Sequence, residues 1–205
     1  AREAAKQVKV VTSGEGADEF FGGYTIYREP LSLRWMSWLP KSWRKSMANL
    51  AEKLPEGMKG RSYIIRASKS VEERFIGNAN IFTEDERKKL LKIKTNAPSP
   101  EALLAEKYKK MSKYDDTTKM QYIDLTNWLP GDILLKADKM SMAHSLELRV
   151  PFLDKEVFKV ARQMRTGMKL KDKTTKFAFR RVAEKCLPEF TTNKKKLGCP
   201  VPIRV

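Results

Sequence analysis

The 205-residue chain is 41% hydrophobic and 33% charged, with a formal net charge of +17, two cysteines and one histidine. No run reaches the roughly 18 apolar residues of a membrane span, and no signal-peptide pattern is present. Cys186, Cys199 and His144 are too few and too scattered for a zinc site, and two free thiols suit a reducing cytoplasm. The length fits one large soluble domain or two small ones. The chain starts at Ala1 inside an amphipathic segment and ends at Val205 just after Pro-Val-Pro, so both ends are expected to be cuts in a longer chain.

Read in order, the β-branched run Val8–Thr12 predicts one strand, followed at once by a glycine turn. Segment 28–62, punctuated by Pro30, Pro40, Pro55 and Gly57, reads as short helices and turns. Ser70-Val-Glu-Glu73 and Thr83-Glu-Asp-Glu86 are capping boxes, the second opening a helix to about Lys94. Ser99-Pro100-Glu101 starts another helix, along which Leu103, Leu104, Lys107, Tyr108 and Met111 recur at helical spacing.

A helix from Tyr122 to Trp128 is expected to stop at Leu129-Pro130-Gly131. A second then runs from about Asp132 to Ser145 with Ile133, Leu134, Ala137, Met140 and Met142 inward. Asp154 caps a helix whose Val157, Val160, Ala161 and Met164 face inward, and Lys173 to about Cys186 is the last helix, ended by Pro188. One short strand cannot make a sheet. The fold expected is therefore mostly α, with few strands of its own.

Three segments carry chemical potential. In Ser13-Gly14-Glu15-Gly16-Ala17-Asp18-Glu19-Phe20-Phe21-Gly22-Gly23-Tyr24 a strand leaves through a glycine turn into a helix start, which gathers backbone N–H groups toward an anion. Its acids, Glu15, Asp18 and Glu19, suit a phosphate only through a metal or an amine; otherwise they are helix-start acids that complement the dipole. The loop is neither a Walker loop nor a dinucleotide fingerprint.

In Asp138-Lys-Met-Ser-Met-Ala-His144-Ser-Leu-Glu147-Leu-Arg149-Val-Pro-Phe-Leu-Asp154, Asp138 falls on an otherwise buried helix. Glu147 and Arg149 read there as an inward pair bracing a neighbouring site, and His144 as a helix-end residue. Lys194-Lys195-Lys196-Leu-Gly-Cys199-Pro is, taken locally, a basic loop. The +17 charge raises a nucleic-acid reading, but the lysines are spread along the chain and many lie opposite apolar helix stripes, which favours a solvated surface.

Taken together and in this order, the three segments resemble the asparagine synthetase family. The resemblance implies the C-terminal part, 1–205, of a synthetase domain of the α/β adenine-nucleotide alpha-hydrolase-like (PP-loop ATP pyrophosphatase) type. It implies a cytoplasmic carbon–nitrogen ligase that uses ATP and Mg²⁺ to make asparagine from aspartate through a β-aspartyl adenylate. Ammonia from glutamine would come from a separate N-terminal domain.

By the same resemblance Ser13, Gly14, Gly16 and Glu19 line the adenylate and pyrophosphate site, and Asp18 holds the metal. Glu15 and Lys196 carry catalysis, while Asp138, Glu147 and Arg149 support the site. Cys199 stands where the family usually has an aromatic residue. The Ser-Gly-Gly-x-Asp-Ser phosphate loop and the cysteine nucleophile of the glutaminase are absent from the chain. The fragment alone is thus expected to be inactive, with an exposed apolar face that favours self-association. A homo-oligomer is allowed, and no membrane partner is expected. The alternatives are a related adenylating amidotransferase acting on another carboxylate and, from a different class, a basic nucleic-acid-binding module.

Overall fold

The computed structural model describes residues 1–55, 57–78, 80–82, 84–93, 96–192 and 194. Its elements begin with α1 (Arg2–Ala5), β1 (Val10–Thr12), α2 (Ala17–Phe21) and α3 (Glu29–Leu33). Then come α4 (Lys41–Glu52), α5 (Arg61–Ser68), α6 (Val71–Arg74), α7 (Glu84–Leu90), α8 (Pro100–Lys110) and α9 (Asp116–Ile123). The chain continues with α10 (Leu135–Met142), β2 (Glu147–Arg149), α11 (Lys155–Ala161), α12 (Thr166–Lys169), α13 (Phe177–Ala183) and α14 (Glu189–Thr192). The fold is mostly helical, as expected, and no described helix is long and apolar enough to cross a membrane.

Local signals hold where side chains can act alone. Ser70 forms its capping box with Glu73, Ser99 Oγ accepts the Ala102 N–H, and Asp154 accepts the Glu156 N–H. Segment 28–62 holds short helices and turns as expected, but also the twelve-residue α4, longer than the reading allowed. The Thr83 cap lies outside the described residues, although α7 follows it.

The predicted strand contracts to β1 and finds a partner within the chain. It pairs in parallel with β2, in the register Val10–Glu147, Val11–Leu148 and Thr12–Arg149. Val11 and Leu148 are half-buried on one face, while Val10, Thr12, Glu147 and Arg149 are exposed on the other. The Glu147–Arg149 pair is therefore not inward. Its charged groups, 3.8 Å apart with side chains 55% and 68% exposed, lie on the open face of the ribbon. The alternation was read correctly and its polarity was not, because nothing described covers that face.

A larger correction concerns the expected break at Leu129-Pro130-Gly131. α9 runs on without interruption through a π-helical stretch, Asp124–Leu134, into α10. Proline has no N–H, so it leaves one carbonyl of the preceding turn without its helical donor. In that turn Thr126 O accepts from Lys107 Nζ at 3.0 Å, which also reaches Asn127 Oδ1 at 2.7 Å. Asn127 Nδ2 in turn holds Ile123 O at 2.8 Å. The widened π turn absorbs the ring without a break.

Other inward assignments fail on the same rod. Met140 and Met142 are 60% and 54% exposed, Val160 on α11 is exposed, and Ser141 is the buried residue of α10. The helix predicted as the last is shorter, because Asp172, Lys173 and Lys176 take left-handed backbone angles that delay its start to Phe177, and it is not the last, since α14 follows Pro188.

One core gathers Tyr27, Val71, Phe75, Leu104, Met120 and Ile123, and a second packs Ala17, Phe20, Phe21 and Ala161 beneath α2. Within the first, Asp124 is fully buried. It accepts from Tyr27 Oη at 2.6 Å and from Asn78 N and Nδ2 at 3.0 and 2.6 Å. Burial pushes its carboxyl up to about 6, against the pull of those donors.

A carboxyl raised in the folded state binds its proton more tightly there than in the unfolded chain. Its contribution is complete below the unfolded value and is lost as pH rises through about 6. Relative to Asp124→Asn, wild-type stability should fall by up to about 3 kcal/mol between pH 4 and 7, read by denaturant unfolding. Parallel pH profiles for the two proteins would contradict this.

Candidate functional site

The loop leaving β1 is tied down at its first residue. Ser13 N–H donates to Arg149 O at 2.8 Å, continuing the ladder one step past Thr12. Arg149 therefore braces the loop through its carbonyl rather than through its side chain. With that N–H spent, Ser13 keeps its hydroxyl, which donates to Glu15 Oε1 at 3.3 Å.

The next three N–H groups, of Gly14, Glu15 and Gly16, have no acceptor among the described residues. Open space surrounds the position of a Cβ on Gly14. Three successive unpaired donors, the first of them exposed and the third buried, are the kind of backbone run that can take an anion. α2 itself is only five residues long, so the loop amides supply the positive field more than a helix dipole does.

Gly16 sits at φ +86°, and a Cβ there would lie 2.1 Å from Leu153 Cδ2. The segment Pro151–Leu153, a single 3₁₀ turn after β2, thus packs directly under the loop. Gly23 plays a similar part at the far end. A Cβ on it would fall 1.7 Å from Asp18 Oδ1 and 2.3 Å from Lys176 Cε. The space is used by an ion pair, Lys176 Nζ to Asp18 Oδ1 at 3.1 Å, with both side chains mostly buried.

The three acids of the motif meet different partners. Glu15 faces the Ser13 hydroxyl, and Asp18 faces Lys176. Glu19 is 2% exposed and accepts from Tyr24 Oη at 2.8 Å; burial raises its carboxyl, partly offset by that hydrogen bond. Ser13, Gly14, Glu15, Gly16 and Asp18 are therefore gathered at one loop, while Glu19 belongs to the packing behind it. Asp138 is exposed on α10, and His144 is exposed in the turn after that helix. Lys196, with Lys195 and Cys199, lies outside the described residues.

The residue that sequence reasoning missed is Lys176, which no local pattern marks. It precedes α13 in a left-handed conformation and reaches Asp18 from 158 positions away in the chain. The described residues hold no group of three or more His, Cys, Asp or Glu side chains able to cage a metal. A single carboxylate still fits Mg²⁺, which keeps several waters and takes other oxygens from substrate phosphates.

A family model for asparagine synthase matches residues 1–205. The chain is 51% identical over 204 residues to asparagine synthetase [glutamine-hydrolyzing] 1 of Bacillus subtilis, an alignment that takes in all of this chain and 32% of that protein. It is 52% identical to a putative asparagine synthetase [glutamine-hydrolyzing] of Mycobacterium bovis, over 31% of that protein. Asparagine synthetase [glutamine-hydrolyzing] 3 of Bacillus subtilis is 28% identical over 97% of this chain and 27% of its own length. The chain thus spans about a third of the length of the curated relatives it matches. No solved structure gives a significant match.

Gly16→Ala should cost roughly 1–2 kcal/mol from the left-handed backbone alone, and more from the collision with Leu153. A double-mutant cycle with Leu153→Ala should recover the collision and leave the backbone cost, read as denaturant midpoints. Additive effects of the two substitutions would show that the loop does not rest on Leu153.

Proposed function

The chain belongs to the asparagine synthase family, and on that premise we propose that it forms the pyrophosphate side of the synthetase site in a longer, cytoplasmic, glutamine-dependent asparagine synthetase. The observation that carries this reading is the row of unpaired amides at Gly14–Gly16, exposed at Gly14 and near the Asp18–Lys176 pair. The proposed domain is of the PP-loop type, in which further parallel strands from the rest of the protein would extend the β1–β2 ribbon. Two parallel strands with one face exposed are a fragment of a sheet that is normally covered on both faces.

In the proposed reaction the side-chain carboxylate of aspartate attacks the α-phosphorus of ATP. The bond to pyrophosphate breaks as β-aspartyl adenylate forms. Ammonia then attacks the acyl carbon, and AMP departs with the bonding pair to leave asparagine. Gly14, Glu15 and Gly16 would donate their N–H groups to phosphate oxygens, with the Ser13 hydroxyl alongside.

Asp18 would hold Mg²⁺, its position fixed by Lys176; when bound, the ion neutralises charge on the departing pyrophosphate. Glu15 would act at the aspartyl adenylate, and Lys196 would bring a positive charge to phosphate in both half-reactions. Glu19 contributes from behind by holding Tyr24, and Glu147, Arg149 and Asp138 support the surrounding frame. Such fixed dipoles and charges stabilise a transition state without reorganising. Neither a nucleic-acid module nor a relative acting on another carboxylate is favoured, since the family match spans the whole chain.

In the full-length protein, Glu15→Gln and Asp18→Asn should each slow aspartate-dependent pyrophosphate release by about 10²–10³-fold. Glutamine hydrolysis should be spared, because both changes keep shape and remove charge. Wild-type rates in either variant would reduce that carboxylate to a helix-start acid.

Lys196→Ala should cost asparagine formation by a similar factor, with Lys194→Ala and Lys195→Ala far milder, since one ammonium occupies one point. Equal, mild losses at all three lysines would remove the catalytic role assigned to Lys196.

A further inference from the structure

Behind α2 lies a cavity of about 440 Å³ that the reading above does not use. Phe20, Leu125, Phe158 and Met164 give it an apolar side, while Gln163 and Arg162, both exposed, stand at its solvent rim. At its edge sits Lys169, 8% exposed, whose ammonium meets one described polar partner, Gln121 Oε1 at 3.2 Å. Among the described residues it has no ion-pair partner. Asp115 is the acid that acts on it from a distance, and that carboxylate is already held by Thr118 and Thr166. Burial depresses the ammonium to about 8.

Gln121 has no spare donor for an incoming group. Its Nε2 is committed to the carbonyls of Glu19 and Phe20, at 2.5 and 3.4 Å. Two of the three ammonium donors of this buried side chain are thus left without a described partner or counter-charge, an arrangement that is costly until an anion arrives.

We propose that this cavity binds a small monocarboxylate carried on an apolar body, with Lys169 as its counter-charge. Lys169 is the buried cation of the lining and Arg162 an exposed one, so the buried end of the cavity balances one negative charge and a phosphate dianion seated there would leave charge unmatched. A zwitterionic amino acid fits poorly too, because the carboxylate in the lining, Glu19, already accepts from Tyr24 and is not free for an ammonium. The site is therefore distinct from the aspartate and ATP chemistry proposed above and does not depend on it. The volume lies within the range of small-molecule pockets, which combine apolar walls with a few fixed polar groups.

The test uses the full-length protein without nucleotide or aspartate. Straight-chain and aryl carboxylates, from butyrate to 4-phenylbutyrate, are titrated by calorimetry beside the neutral isostere 4-phenylbutyramide. The acid should bind saturably at one site and the amide at least tenfold more weakly. Lys169→Met keeps the length and removes the charge, so it should lose at least tenfold in affinity while melting no lower than wild type. Met164→Trp, which fills the cavity, should abolish binding while leaving Lys169 in place.

Equal binding of acid and amide, undiminished affinity in Lys169→Met, or no carboxylate bound at millimolar concentration would each overturn the proposal. The acid-to-amide comparison on the wild-type protein decides the matter even if a variant fails to fold.

Discussion

Thr117, Gln121 and Asp124 recur at i, i+4 and i+7 along α9 and the first residue of its π-helical continuation, and all three are buried. Between them they hold three pieces of chain. Thr117 Oγ1 donates to Tyr27 O at 3.0 Å, Gln121 Nε2 to Glu19 O, and Asp124 accepts from Tyr27 and Asn78. Apolar neighbours on the same helix, Met120 and Ile123, supply the driving force of burial. The polar stripe supplies the register. A buried donor or acceptor left unmatched costs more than a mislaid methyl, so only one arrangement of these segments satisfies all three side chains.

That rod transmits position to the candidate site from two directions. Through its π-helical middle and α10 it leads to β2, and the β1–β2 register then fixes the residue at which the loop begins. Because Arg149 O takes the Ser13 N–H, the free donors start at Gly14 and not one residue earlier. From behind, Gln121 holds the carbonyls of α2. The proline that looked like a helix terminator is therefore part of the route. Lys107 supports the turn before it by donating to Thr126 O.

Much of this was legible in the sequence wherever the signal is local. Ser70, Ser99 and Asp154 cap their helices because a short side chain reaches its own backbone. The glycine-rich loop after a β-branched run was legible for a related reason, since Gly16 has a backbone angle that other residues resist. The misreadings all involve distant partners. The turn before Pro130 is supported by Lys107 from another helix, and the Asp18–Lys176 pair joins distant parts of the chain. Periodicity placed Met140, Met142 and Val160 on apolar faces, but a face is buried only if something packs on it, and nothing described does.

The acids of the loop show how geometry divides what a sequence groups. Asp18 and Glu19 are neighbours, yet successive residues on a helix point about 100° apart. One turn of α2 is enough to send Asp18 toward Lys176 and Glu19 inward to Tyr24. Glycines at both ends permit the split: Gly16 lets the loop close on Leu153, and Gly23 leaves room for the Asp18–Lys176 pair. The inner acid, with Tyr24 and Gln121, then makes the rear of α2 polar where it meets the cavity behind it. Had Glu19 been leucine, α2 could rest on its core in several orientations. With a carboxylate there, it must meet Tyr24, and meeting Tyr24 fixes the rotation that presents Asp18 beside the free amides.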